Sequence, residues 1–370
     1  MKPILFNDFR AEVGERRNEY AQAISTVLDS GWFILGKEVE TFEKKFAKYI
    51  GCKFCIGVAN GLEALQISLM ALEIGEGDEV ITTPVSAVAT TLAILAVGAR
   101  PVFVDVDKDG SIDANLVESA ITKRTKAVLP VYLYGNAVDI QRLQKICKRH
   151  KLFLIEDAAQ AHGSLYKGKK LGSFGEINCF SFYPTKNVGA FGDGGAIVTN
   201  NSKLAQVCRE IRDYGQTRKY FHTRYGLNSR LDELHAAILQ VKLKYLDKDN
   251  RHRRALAKKY HDLLSQLTEV NLVGSQPLEE RNVHVLVIRT KKRDELQKYM
   301  AKKGITTLIH YPLIIPDQPF LKGQYSTRNL SESKKFVKEI LSLPCHPMMT
   351  IGEVELVSKT IHDFFRSTSK

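Results

Sequence analysis

Residues 152–160 read LFLIEDAAQ, an apolar run that ends in two carboxylates. The first four residues predict a strand that is buried on both faces, as the strands of parallel sheets are. Glu156, Asp157 and Gln160 follow where this strand ends. Ligands bind beyond the carboxyl ends of the strands in open α/β sheets. The stretch therefore predicts an α/β fold with a polar site at this edge of the sheet.

Similar apolar runs occur on both sides of this stretch, and segments with helical periodicity separate them. Strands are predicted at Phe54–Val58, Glu79–Thr82, 101–104 and 127–131, and helices at 62–72 and 87–97. Two shorter strands, 178–183 and 195–198, lie close together and mark where the sheet becomes mixed. The alternation predicts a mostly parallel, mixed sheet wrapped by helices.

The pattern changes in the last third of the chain. A long helix is predicted at 232–266, followed by shorter elements at 283–288, 294–303 and 306–309. We assign residues 1–245, including an N-terminal arm, to a large domain and residues 246–370 to a smaller C-terminal α/β domain.

The chain has 370 residues and a formal net charge of +13, with 44% hydrophobic and 26% charged residues. Such a composition is typical of a soluble globular protein. The excess of positive charge fits nucleic-acid binding, a site for small anions, or simply a basic surface. The densest basic run, 242–254, coincides with Leu239, Leu243 and Leu246 at helical spacing, which start just before it, and no zinc-finger or RNA-binding motif accompanies it. We therefore expect no nucleic-acid partner.

The cysteines and the apolar runs exclude further classes. Of the six cysteines only Cys52 and Cys55 are close in sequence, and neither a second pair nor histidines follow at ligand spacing, so no metal site is expected. The N-terminus has no signal-like segment, and no apolar run approaches the ~20 residues of a membrane span. These features predict a cytoplasmic enzyme with reduced cysteines and no membrane partner.

Three polar clusters follow predicted strands, at residues 60–62, 156–160 and 181–186. Gly61 lies between a strand and a helix, where free backbone amides can bind an anion such as a phosphate, although a glycine at such a turn can also be purely steric. Asp157 is costly to bury without a partner, so it either caps a helix or pairs with a cationic group such as a protonated ring nitrogen. Lys186 precedes a glycine-rich stretch and can act as a nucleophile in a dry pocket, the alternative being a solvated loop lysine. The order of these three clusters along the chain favours a functional site over the structural alternatives.

Several motifs extend this pattern along most of the chain: GWFILG (31–36), GVANG (57–61), IEDAAQAHG (155–163), SFYPTKN (181–187), GDGGA (192–196), GLNSRLD (226–232) and IHYP (309–312). Together they resemble the DegT/DnrJ/StrS family of sugar-nucleotide aminotransferases. The resemblance implies the fold of aspartate aminotransferase, which is fold-type I of the enzymes that use pyridoxal 5′-phosphate (PLP). It also implies PLP as the cofactor.

The resemblance assigns three roles around the cofactor ring. Lys186 matches the lysine that binds PLP as a Schiff base, and Asp157 matches the partner of the pyridine nitrogen. Both are therefore expected to be catalytic. Gln160 matches a contact on the side of the ring hydroxyl.

The phosphate of the cofactor has its own predicted contacts. The amides of Gly61 and Leu62 and the hydroxyl of Ser181 match the phosphate cradle of the family. Asn228 matches a residue that reaches the phosphate from the neighbouring subunit. A homodimer with shared active sites is therefore expected.

The resemblance also implies substrate contacts from Phe33, Tyr183, His310 and Tyr311. Two segments depart from the family pattern. Ala87 occupies the position of the aromatic residue that usually stacks on the cofactor ring. Residues 315–318 read IPDQ where the family often carries a histidine.

The expected reaction moves an amino group, from glutamate, onto a keto group of a dTDP- or UDP-linked sugar. Residues 226–232 are more similar to members that act on 3-keto sugars, whereas 4-keto members more often show Asn-Tyr-Arg-Met, so carbon 3 is favoured over carbon 4. A PLP-dependent dehydratase or an aminobenzoate-type synthase is an alternative. Lys186 argues against the dehydratases, which carry histidine there. A regulatory protein on the same scaffold is a distant alternative that only the net charge supports.

Overall fold

A computed structural model describes residues 3–326 and 328–368. The α-helices are α1 (Phe9–Glu15), α2 (Arg17–Ser30), α3 (Lys37–Ile50), α4 (Gly61–Ala71), α5 (Ala89–Ala96), α6 (Ile140–His150), α7 (Ser202–Arg212), α8 (Glu233–Leu264), α9 (Arg293–Lys302), α10 (Ser331–Glu339) and α11 (Ile351–Thr368). The strands are β1 (Phe54–Val58), β2 (Glu79–Thr82), β3 (Arg100–Phe103), β4 (Thr125–Leu129), β5 (Phe153–Asp157), β6 (Leu165–Tyr166), β7 (Lys169–Lys170), β8 (Ile177–Ser181), β9 (Gly195–Thr199), β10 (Gln216–Arg218), β11 (Phe221–His222), β12 (Asn271–Leu272), β13 (Leu286–Arg289) and β14 (Ile340–Leu343).

The main sheet has seven strands in the order β1-β9-β8-β5-β4-β2-β3. Strand β9 runs antiparallel to both of its neighbours, whereas the other pairs are parallel. The prediction of a mixed, mostly parallel sheet is therefore confirmed, including the place where it becomes mixed. Two hydrophobic clusters cover its two faces, one around Phe42, Phe46 and Phe180 and the other around Ile56 and Leu69.

The C-terminal third forms an antiparallel sheet in the order β12-β13-β14. Its cluster of buried residues includes Leu286, Leu341 and Ile361, and Ile4 from the N-terminal arm packs into the same cluster. Helix α8 connects this region to the main sheet. Leu239 and Leu246 in its first half pack in the large core, and Leu256 and Tyr260 in its second half pack in the C-terminal cluster. The division at residues 245/246 falls inside this helix and stays a prediction.

The strand expected at 306–309 is wrong. These residues divide their backbone hydrogen bonds between two neighbours, because Thr306 N donates to Ile4 O (2.9 Å) while Leu308 exchanges bonds with Ser342 (3.2 and 2.8 Å). Leu308 and Ser342 therefore form an isolated bridge and no continuous ladder. The other predicted elements occur with ends shifted by up to three residues.

No helix within residues 3–326 and 328–368 is both long enough and apolar enough to span a membrane. Over the same residues, no three or more His, Cys, Asp and Glu side chains are grouped so that they could hold a metal ion.

Candidate active site

The polar clusters predicted from the sequence meet at one edge of the main sheet. Gly195 begins β9 and pairs with Val58 at the end of β1 and with Ser181 at the end of β8. Asp157 ends β5 and pairs with Cys179. The register of the sheet therefore brings the phosphate-type loop, the acid and the segment before Lys186 to a common edge, as expected for an α/β sheet.

Two glycines allow helix α4 to approach this edge closely. A Cβ atom on Gly61 would lie 2.6 Å from Cβ of Ser181, and one on Gly195 would lie 2.4 Å from the carbonyl carbon of Asn60. Such distances are far below van der Waals contact, so side chains at either position would push the helix away. The backbone at the start of α4 and the hydroxyl of Ser181 are consequently neighbours.

The start of α4 offers unpaired donors. Asn60 caps the helix by accepting a hydrogen bond from Glu63 N (2.8 Å), and Ala64 N donates the first intrahelical bond to Asn60 O (3.0 Å). The N–H groups of Gly61 and Leu62 precede that bond and have no partner within the helix. Together with the Ser181 hydroxyl they form a donor set suited to a phosphate.

Asp157 is 5% exposed and is held by two hydrogen bonds. Its Oδ2 accepts from Thr90 Oγ1 (2.8 Å) and its Oδ1 from Ala159 N (3.1 Å). Burial raises the pKa of Asp157, while the bonds from Thr90 and Ala159 and the positive charge of Lys186 act in the opposite direction. A carboxylate in this position is stabilised by a further cationic partner.

Lys186 lies close enough to this carboxylate for the charge of Asp157 to act on its amine. Burial lowers the pKa of Lys186 to about 8, although the negative charge of Asp157 opposes the shift. A lysine with this pKa has a substantial neutral fraction near pH 7–8, which is the form that reacts with carbonyl groups. Among the described residues, none forms a hydrogen bond or an ion pair with its amine. The amine is therefore available for chemistry.

Most of the predicted site residues line a single cleft of about 620 Å³: Gly61, Leu62, Ala87, Gln160, Ser181, Tyr183, Lys186, His310 and Tyr311. Asp157 is not part of the cleft wall. Its charge nevertheless acts on Lys186 and Tyr311, which both belong to the wall. Gln160 links Tyr311 in the wall to the buried Tyr134 behind it, because its Oε1 accepts from Tyr134 N (2.6 Å) and its Nε2 donates to the Tyr311 hydroxyl (3.4 Å).

Two predicted residues lie outside the cleft of the single chain. Asn228 is exposed and forms an isolated bridge with Asp213. Phe33 is 50% exposed, and its carbonyl accepts a hydrogen bond from Glu233 N (3.1 Å). Residues 315–318, where the expected histidine is missing, begin with the short 3₁₀ segment Ile315–Asp317 and are also outside the wall.

The structure adds residues that sequence reasoning missed. Thr90 holds Asp157, and its position three residues after Ala87 within the helix predicted at 87–97 is a signal that could have identified it. Thr185, Asp193 and His284 also line the cleft. Thr185 and Asp193 belong to motifs quoted above, whereas His284 stands alone before β13 and no sequence pattern marks it.

The sequence profile of the DegT/DnrJ/EryC1/StrS aminotransferase family matches residues 15–362. The chain belongs to this family. The aminotransferase is 44% identical, over 344 residues, to the dTDP-3-amino-3,4,6-trideoxy-alpha-D-glucose transaminase of Streptomyces venezuelae, covering 92% of this chain and 91% of that protein. It is 44% identical, over 362 residues, to the dTDP-3-amino-3,6-dideoxy-alpha-D-galactopyranose transaminase of Aneurinibacillus thermoaerophilus, covering 98% of this chain and 99% of that protein.

Solved structures agree with this assignment. The crystal structure of S. venezuelae DesV in complex with a ketimine intermediate superposes with a TM-score of 0.96 and 41% identity, covering 98% of this chain and 99% of that one. The aminotransferase therefore has the PLP fold-type I and is PLP-dependent. The expectations of family, fold, enzyme class and cofactor are confirmed.

The donor set of the cleft fits PLP. The free amides of α4 and the Ser181 hydroxyl suit its phosphate, the buried carboxylate of Asp157 suits a protonated ring nitrogen, and the unpaired amine of Lys186 suits its aldehyde. Ala87 lines the same cleft, so a small aliphatic side chain stands where family members usually have an aromatic ring.

Proposed function

We propose that this aminotransferase moves an amino group from glutamate onto the carbon-3 keto group of a nucleotide-linked sugar. The observation that carries the proposal is the single cleft in which the unpaired amine of Lys186 lies near the α4 amides and within the field of Asp157. Both curated relatives described above are transaminases named for 3-amino dTDP sugars. The sequence GLNSRLD at 226–232 supports the same carbon.

When bound, PLP supplies the electron sink that lets an amino group leave one carbon and join another. Lys186 Nζ would hold the cofactor covalently between reactions. Once released, the same amine would move a proton between the substrate carbon and the cofactor carbon. Asp157 would keep the ring nitrogen protonated, and Thr90 would hold Asp157 in place.

We also propose a homodimer in which Asn228 of one chain reaches the phosphate site of the other. Asn228 and Phe33 are exposed in the single chain, and large exposed aromatic side chains lie in the hairpin of β10 and β11 and in the residues between it and Asn228. Tyr220, Phe221 and Tyr225 are 78%, 54% and 81% exposed, respectively. A partner that covers them removes apolar surface from water. Such an enzyme would work in the cytoplasm, where nucleotide sugars are made.

A half-reaction tests the substrate assignment. Glutamate alone should convert the lysine-bound cofactor to its amino form, which changes the visible absorption. A panel of 3-keto and 4-keto dTDP and UDP sugars should then be offered to the amino form. The proposal expects 3-keto sugars to restore the original absorption. Turnover of 4-keto sugars alone would move the assignment to carbon 4, and failure with every amino donor would favour the dehydratase or aminobenzoate-type alternative.

A further inference from the structure

A buried network of side-chain amides lies directly behind Lys186. Asn187 Nδ2 donates to Asn250 Oδ1 (2.7 Å) and to Asn282 O (3.2 Å). Only the NH₂ group of an asparagine can donate to two oxygens, so the orientation of this amide is fixed. Its Oδ1 therefore faces His284 Nδ1, at 2.9 Å.

The orientation of Asn187 fixes the tautomer of His284. Because Asn187 Oδ1 can only accept, His284 Nδ1 must carry a hydrogen. The surrounding amides cannot turn over to relieve this, since Asn250 Nδ2 donates to His162 O (2.9 Å) and Asn282 Oδ1 accepts from His284 N (3.1 Å). In the neutral ring the lone pair then lies on Nε2, which can only accept a hydrogen bond.

The Nε2 atom of His284 is accessible from the active site. The side chain lines the main cleft and an adjoining cavity, which also share Thr185, Val285 and His310. Within the described residues Nε2 has no hydrogen-bond partner. Nε2 is nevertheless not fully enclosed by protein, whereas both ring nitrogens of His162 are enclosed and lack a partner. The acceptor is therefore open to a bound molecule.

The ring stays neutral near pH 7. Burial holds the pKa of His284 well below its ordinary value, and the neighbouring charges of Lys186 and Arg253 act in the same direction, with smaller effects from His162 and His310. Lys186 and the Tyr311 hydroxyl, elsewhere in the cleft wall, are potential donors. A sugar hydroxyl needs an acceptor when it is removed from water, because an unpaired buried donor costs about 1–3 kcal/mol.

We propose that His284 Nε2 accepts a hydrogen bond from a sugar hydroxyl on a carbon next to the reacting carbonyl, which makes His284 a specificity-determining residue. This inference rests on the proposed function, since it requires a keto sugar in the cleft. The asparagine network acts through His284 as a positioning device.

The first test compares dTDP-linked 3-keto sugars that carry hydroxyls on carbons 2 and 4 with their 2-deoxy and 4-deoxy analogues. His284→Leu should lower kcat/KM for the dihydroxy sugar roughly 10- to 100-fold and leave one deoxy analogue almost unaffected. His284→Gln, which keeps an acceptor near the position of Nε2, should restore most of the rate. His261→Leu, on the exposed end of α8, is the matched control and should change nothing.

An equal loss with all three sugars would overturn the inference while leaving the proposed function intact. If the wild-type enzyme accepts glutamate but none of the sugars, the proposed function itself fails. The two failures are therefore distinguishable.

The second test reads the tautomer directly in the resting holoenzyme, independently of turnover. In protein labelled with ¹⁵N-histidine, the signal that is missing in His284→Leu should be that of a neutral ring protonated on Nδ1 at pH 7. Addition of the dihydroxy sugar should shift its Nε2 resonance. If the signal that His284→Leu removes belongs to a ring protonated on Nε2, or on both nitrogens at pH 7, the proposal is contradicted.

Discussion

The two sides of the cleft are built differently. On the cofactor side, Gly61, Asp157, Ser181 and Lys186 all lie at or within a few residues of an end of a main-sheet strand. On the proposed sugar side, His284, His310 and Tyr311 come from loops of the C-terminal third, whereas Tyr183 follows the end of β8. Asn228 and Phe33 are not in the cleft of one chain at all.

Under the proposed function, this difference separates the residues of the chemistry from those of substrate specificity. The cofactor side depends on strand register, which a change in a loop leaves intact. The sugar side depends on how the C-terminal third, and in the proposed dimer a neighbouring subunit, packs against the main-sheet region. We therefore expect substitutions on the cofactor side to slow both half-reactions, and substitutions on the sugar side to slow only the second.

The largest effect is expected for Lys186→Ala. Loss of the amine removes both the covalent attachment and the group that moves the proton, so each half-reaction should slow by roughly 10⁴-fold. The visible band of the lysine-bound cofactor should disappear, which absorption spectroscopy measures. Lys203→Ala, on the exposed start of α7, is the control and should retain both. A retained band in Lys186→Ala would break the assignment of the whole cofactor side.

Asp157→Asn should slow both half-reactions by about 10²–10³-fold, because it removes a buried charge that stabilises the ring nitrogen. Single-turnover kinetics with glutamate and with the keto sugar would measure the two losses. Asp262→Asn, at an exposed position of α8, is the control and should leave the rates of both half-reactions unchanged. A loss confined to the sugar half-reaction would contradict the comparison.

The same variant makes a prediction about pH. The charge of Asp157 raises the pKa of Lys186, which burial otherwise lowers, the net value being about 8. Without that charge the pKa should fall further, so more of the amine is neutral at a given pH. Uptake of PLP by the apoprotein should therefore persist to lower pH in Asp157→Asn than in wild type. If PLP uptake by Asp157→Asn instead required a higher pH than in wild type, the charge of Asp157 would not raise the pKa of Lys186.

Thr90→Val should have a smaller effect on the same side. Removal of the hydrogen bond to Asp157 costs about 1.5 kcal/mol, or roughly tenfold in each half-reaction. Because that bond lowers the pKa of Asp157, its loss should raise this pKa and move the acid limb of the pH–rate profile upwards. Thr91→Val offers a matched control, since the Thr91 hydroxyl is buried without a hydrogen-bond partner among the described residues.

The smallest effect on activity is expected for Tyr183→Phe on the sugar side. Tyr183 lines the cleft and is 53% exposed, so its hydroxyl is available to a substrate. Loss of one partly exposed hydrogen bond should slow the sugar half-reaction severalfold and leave the glutamate half-reaction unchanged. Equal losses in the two half-reactions would remove the distinction between the sides.

The same contrast explains what the sequence could predict. Buried strands can be recognised in the sequence from their apolar composition. The residues that follow them lie at the same edge of the sheet whenever the strands are parallel. That Asp157, Gly61 and the segment before Lys186 lie at one edge could be predicted in this way, helped by motifs in a fixed order. The place where the sheet becomes mixed, at β9, could also be predicted, because β8 and β9 are short and close together in sequence.

Other features could not be predicted because they depend on tertiary packing. His284 gains its meaning only from Asn187, 97 positions away in sequence. Residues 306–309 have the composition of a strand, but the competing bonds to Ile4 and Ser342 prevent one. The contacts of Asn228 require a second chain, so they remain a proposal.

Helix α8 has a thermodynamic consequence. Its 32 residues, about 48 Å in length, contribute buried side chains to the main core at one end and to the C-terminal core at the other. Melting of either core would expose half of a helix that the other core needs. We therefore expect the two cores to unfold as one cooperative unit, with a single calorimetric transition, whereas two resolved transitions would show that the helix can break between them.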